Sequence, residues 1–69
     1  MNNARLHAIR DELGLSGAAL ERTVSALLGV STHAVHHWML PETSAAYRRM
    51  PDPLLELLEL KLGAMEEMR

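Results

Sequence analysis

The run Leu27-Leu28-Gly29-Val30-Ser31, continued by Thr32-His33-Ala34-Val35-His36-His37-Trp38, limits this chain more than any other stretch. Leu20, Val24, Leu27 and Leu28 recur at helical spacing and then stop at a glycine. A glycine just past a helix end supplies a positive φ at no steric cost. Two residues later stands Ser31, a residue type that caps helix starts. In the helix that follows, Val35 and Trp38 lie at i, i+3 and share one face. Thr32, His33, His36 and His37 are left on the other. The stretch predicts two helices meeting across a turn too short to let them part.

The same signals place the other elements. Leu6, Ile9 and Leu13 predict a first helix from about Asn3 to Leu13, stopped by Gly14. Ser16 is placed to cap the second helix, and the third runs to about Leu40, where Pro41 disfavours helical geometry. Pro41 to Pro51 reads as a loop with one helical turn around Ser44 to Tyr47. Asp52 as cap and Pro53 at the first helical position open a last helix, reaching about Ala64 or slightly beyond. The expected fold class is all-α: one compact domain over residues 1–69 with four to five helices. Its two-helix unit spans about 17–40, and its C-terminal helix about 53–65.

That last helix is too apolar for a single buried face. Leu54, Leu55, Leu58, Leu62 and Met65 form one stripe, and Leu57, Leu60, Ala64 and Met68 a second. Glu56, Glu59, Glu66 and Glu67 share the wedge that remains. Two apolar stripes on one helix of a small protein need two partners. One is the chain's own core. The other is a second copy of the chain or the first helix of the same copy. The homodimer is the reading adopted, with Leu57, Leu60, Ala64 and Met68 as its interface; Lys61, close to the second stripe, fits it poorly.

Size and composition narrow the function. A 69-residue core contributes only ~3–5 kcal/mol. With no cysteine, neither disulfides nor a thiolate zinc site can reinforce it. Methionines 39, 50, 65 and 68 read as core filler. No Gly-rich phosphate loop and no readable nucleophile–base spacing exist, so an enzyme is not expected. The polar start MNNARLHAIRDE carries no signal core, and no run approaches the roughly 20 apolar residues of a membrane span. A cytoplasmic protein is the expectation, without membrane, cofactor or small-molecule ligand.

The net charge of −2 is unusual for a nucleic-acid binder, but it is unevenly spread. Between Ser16 and Met50 stand Glu21, Arg22, Glu42, Arg48 and Arg49, a net of +1, with three histidines besides. From Pro51 onward Asp52, Glu56, Glu59, Glu66 and Glu67 outweigh Lys61 and Arg69, a net of −3. Non-specific affinity for DNA should therefore be weak, because few cations are available to neutralise phosphates.

Two helices across a Gly-containing turn, the second with a polar face, are how many proteins place side chains in a DNA major groove. Val24, small Ser25, Leu28, Gly29, Val30, Val35 and Trp38 resemble the helix-turn-helix of the lambda-repressor and Cro family, also called the Xre type. The likeness covers roughly Leu6 to Leu62. The stretch HHWMLPETSAAYRRMPDPLLELLELKLG is similar to the ending of small regulators of phages and mobile elements. Some of those are anti-CRISPR-associated proteins that repress their own operon.

The resemblance implies that Thr32, His33, His36 and His37 face base edges. It implies that Ser31, Ser44, Tyr47, Arg48 and Arg49 contact the DNA backbone, contacts that set register rather than sequence. It implies a homodimer on an inverted-repeat operator. Repression is the expected mode, since 69 residues leave no room for a ligand-sensing domain. The sequence departs from the family at Glu21, where a neutral polar residue is common and a carboxylate would repel phosphate. The second helix also begins about a turn early, at Gly17, which lets Ser16 or Gly17 take over that contact. No arginine or asparagine stands on the reading face, so the usual bidentate readers of guanine and adenine are missing.

Other readings of these residues exist. His33 and His37 are one helical turn apart, a spacing that suits two imidazoles on one ion. The sequence supplies neither a third ligand nor an HExxH motif, and no metal is expected. The polar face could also be plain solvated surface, and Arg48-Arg49 an ordinary loop pair. A protein-interaction module of antitoxin or adaptor type, using the Leu-rich last helix, is the alternative function.

Overall fold

The computed structural model describes residues 2–67 and, in its last helix, side chains as far as Met65. Four α-helices follow one another: α1 (Asn2–Leu13), α2 (Gly17–Leu28), α3 (Thr32–Met39) and α4 (Asp52–Glu67). There is no strand among the described residues, and the chain is all-α and compact. No helix of the described residues is long and apolar enough to cross a membrane.

The helix ends are set by the residues the sequence singles out. After α1, Gly14 takes φ +65. Its N–H donates to Asp11 O at 3.2 Å, and Leu15 N–H donates to Arg10 O at 3.1 Å. This pair of bonds satisfies the last carbonyls of α1 in a Schellman motif. Ser16 Oγ accepts from Ala19 N at 3.2 Å, and Ser31 Oγ accepts from Ala34 N at 3.1 Å. Each cap satisfies one orphan donor of its helix. Gly29 stands at φ +70 and donates to Ser25 O at 2.9 Å. The space around its Cα is open, so backbone conformation alone demands glycine there. Leu40 is extended, at φ −69 and ψ 156, as Pro41 requires.

The core takes residues from every element: Leu6 and Ile9 of α1, Leu20 and Val24 of α2, Val35 and Trp38 of α3, Leu58 of α4, and Met50 from the loop. Leu27, Leu28, Val30 and Met39 pack on it, half-buried. Helices α1 and α2 each rest on both α3 and α4.

Several expectations are corrected. Leu13 is 43% exposed, because α1 ends at the surface where Gly14 turns the chain. Met65 is 48% exposed, since α4 there outruns the core. Asp52 is not the cap of α4. Pro51 O accepts from both Leu54 N and Leu55 N, so Pro51 caps, Asp52 is the first helical residue and Pro53 the second. The loop holds two successive turns rather than a helical turn: Ser44 N donates to Pro41 O and Tyr47 N to Ser44 O.

The second stripe of α4 is not internal core. Leu57 is 37% and Leu60 72% exposed, and Ala64 is exposed as well. Met68 lies outside the described residues. Lys61 has a place of its own: its ammonium donates to Leu27 O at the C-terminal end of α2. A cation there opposes the negative end of the helix dipole. Arg5 of α1 reaches α4 on the other side, with Nε 2.7 Å from Glu59 Oε1. Glu59 first, then Glu12, raises the Arg5 guanidinium above its ordinary pKa. Both partners are well exposed, and such pairs are worth little.

Candidate nucleic-acid interface

Helix α3 is short, and its two sides have opposite fates. Val35 is fully buried and Trp38 nearly so. Ser31, Thr32, His33 and His36 are exposed. His37, expected with them, is half-buried. Its ring packs against His33 with centroids 4.1 Å apart and an angle of 61°. Partial desolvation first, then His33, Arg48 and His36, lowers the His37 pKa from its ordinary value.

A residue that the sequence marks only as a helix start sets where this face ends. Asn3, 5% exposed, reaches from α1 into the gap between α3 and the loop. Its Nδ2 donates to Trp38 O at 2.8 Å and Arg48 O at 2.9 Å, and its Oδ1 accepts from Met50 N at 3.0 Å. A side-chain amide carries both donors and acceptor, so one residue satisfies three backbone groups, two of them buried. Asn2 adds a bond to Met50 O at 2.7 Å. Arg48 N donates to His37 O at 3.3 Å. The loop is thereby tied to the end of α3, and Arg48 stands next to His37. No local pattern signals Asn3: its partners are 35 to 47 positions away.

The residues proposed for backbone contact are placed unequally. Ser31 Oγ is occupied as the α3 cap. The N–H groups of Thr32 and His33 in that first turn have no acceptor within the helix. Ser44 Oγ accepts from Ala46 N at 3.3 Å and so builds its turn. Tyr47 and Ser44 are half-buried. Arg48 is exposed but folds its guanidinium onto Tyr47 O at 2.8 Å and Ala45 O at 3.3 Å. Arg49 is exposed, with only a long 3.5 Å contact to Asp52. The Arg49 contact is one a phosphate could displace, since exposed ion pairs are weak.

Glu21 is where the sequence reading was least complete. The carboxylate does not stand alone: its Oε2 lies 3.2 Å from His36 Nδ1. The pair spans α2 and α3 across the turn at Gly29. A charge count cannot show it, because the two residues meet only once the helices pack. Among the described residues no group of three or more His, Cys, Asp or Glu could hold a metal. Arg48 beside His37 is also an unfavourable neighbour for a cation.

Comparisons with protein-family models, with curated proteins and with solved structures found no match.

Proposed function

We propose that this chain is a sequence-specific DNA-binding repressor of the lambda-repressor and Cro type, acting as a homodimer on an inverted repeat. The observation that carries the reading is the construction of α3. Val35 and Trp38 pin it to the core, while Thr32, His33 and His36 stand exposed beyond the turn at Gly29. Thr32 and the imidazoles supply a methyl group, a hydroxyl and ring nitrogens suited to base edges in a major groove. Arg48 and Arg49, at the far end of α3, supply the charge for phosphates on one flank. The N–H groups of Thr32 and His33 supply it on the other.

Two copies are needed because one 8-residue helix with no arginine reads few bases. The exposed stripe Leu57, Leu60 and Ala64 is the surface we assign to the second copy. Paired recognition helices would then stand about 34 Å apart, one turn of DNA. The domain represses by occupying its operator, and the likeness to anti-CRISPR-associated regulators makes its own operon the first target to test.

Fluorescence anisotropy with DNA from upstream of its own gene tests the reading. Salt-sensitive binding that one sequence competes better than another is expected. Binding that no sequence competes preferentially would sink it. The 72% exposure of Leu60 and the acidic charge of α4 also support a second reading, an adaptor or antitoxin whose α4 binds a different chain. Light scattering separates the two: the repressor is a dimer by itself, whereas the adaptor is a monomer until a foreign partner is added.

A further inference from the structure

Glu21 reaches from α2 onto the exposed face of α3, and what it does there follows from its contact with His36. The carboxylate side chain is 24% exposed, while the imidazole remains 52% exposed. The Nδ1 edge of the ring therefore faces a largely covered acceptor, 3.2 Å away. An ionised carboxylate only accepts hydrogen bonds, so Nδ1 must carry the proton. A neutral imidazole has one N–H. Fixing it at Nδ1 leaves Nε2, across the ring, with a bare lone pair.

We propose that Glu21 is a specificity-determining positioning residue. By holding Nδ1–H of His36, it makes Nε2 a hydrogen-bond acceptor directed away from the protein toward a base edge. This rests on the DNA-binding reading of α3. An acceptor at that point selects a base that offers an amino group in the major groove, adenine N6 or cytosine N4. It disfavours guanine and thymine, which present O6, N7 or O4 acceptors there. The face has no arginine or asparagine to override that choice. The other ionisable groups around it are His37, with ring centroid 6.2 Å from that of His36, His33 beyond His37, and Arg48 on the loop. None of these supplies a carboxylate, so the tautomer depends on Glu21. The carboxylate that departs from the family pattern thereby acquires a role: it sets what the neighbouring ring can read.

Two measurements test this, one without DNA. Nitrogen-15 NMR of the imidazoles is recorded at about pH 8, above the ordinary histidine range near 6.5. His36 is expected as the Nδ1–H tautomer in the wild type and as mainly Nε2–H in Glu21→Ala. An Nε2–H tautomer in the wild type overturns the proposal. The second measurement is selection of binding sites from randomised DNA at the same pH. One base position is expected to change from adenine or cytosine toward guanine or thymine in Glu21→Ala, by at least about 5-fold. Glu21→Asp should restore the original preference in part. In a His36→Ala background, Glu21→Ala should have no further effect, which a double-mutant cycle reads directly. Sequence-preferring binding whose base choice ignores Glu21→Ala overturns this inference alone. Wild-type binding with no sequence preference overturns the DNA reading and this inference together.

Discussion

Helices α3 and α4 both carry more apolar side chain than a surface helix needs, and they dispose of it differently. In α3 the division is sharp: Val35 and Trp38 go in, and Thr32, His33 and His36 stay out. Among the described side chains of α4 only Leu58 is fully buried, Leu54, Leu55 and Leu62 are half-covered, and Leu57 and Leu60 face solvent. A helix whose polar and apolar residues alternate at the helical period has one favourable rotation about its axis. A helix that is apolar on two stripes has several, and its neighbours choose among them. Here α1 and α2 choose, through the contacts of Arg5 with Glu59 and of Lys61 with Leu27 O. The lesson is that an exposed apolar stripe on α4 is a property of the packing, whereas the polar face of α3 is a property of the residues.

The strongest way to break that contrast is Trp38→Ala. Losing a buried aromatic should cost ~3–5 kcal/mol, about the whole stability of a domain this small. Circular dichroism should show a chain largely unfolded at room temperature. A cooperative melt close to the wild type would mean that α3 is not held by its apolar side.

Asn3→Ala should cost less, ~2–3 kcal/mol, because it leaves Trp38 O, Arg48 O and Met50 N without their buried partner. Urea denaturation measures it, and a loss under about 0.5 kcal/mol would show the loop to be anchored by Met50 instead.

Leu60→Glu sharpens the other side of the comparison. On an exposed position it should change the stability of one copy by no more than about 0.5 kcal/mol. It should nevertheless convert a dimer to a monomer in light scattering and weaken operator binding in the same samples. An unchanged dimer would remove Leu60 from the interface.

The smallest effect concerns His37. Its folded-state pKa is lowered, so the unfolded chain takes up the proton first as pH falls. Stability present above the ordinary histidine value near 6.5 is then lost as pH falls from there to the lowered value. Urea midpoints should decline slightly across that window, and less in His37→Gln. Non-specific DNA affinity should move the opposite way, rising as protonated His37 adds positive charge. Equal slopes in the variant and wild type would dismiss His37 as the source of the stability change. Flat non-specific affinity from mildly basic to mildly acidic buffer would dismiss His37 as a source of charge toward the phosphates.

Local chemistry made much of this protein legible before any packing was known. Gly14 and Gly29 end helices because their φ is positive, and Ser16 and Ser31 begin them because a hydroxyl accepts from one orphan donor of the first turn. Leu6, Ile9, Leu20, Val24, Val35 and Trp38 are core because their spacing leaves them one common face. These are interactions over a few residues, and a few residues suffice to read them. Tertiary structure alone decided what depended on distant partners. It placed Asn3 under the loop, withdrew His37 from the exposed face and left Leu57 and Leu60 outside. It also joined Glu21 to His36, fifteen positions apart. The physical reason is one and the same: a hydrogen bond or a buried contact across the fold requires both groups to arrive, and their spacing along the chain carries no trace of that meeting.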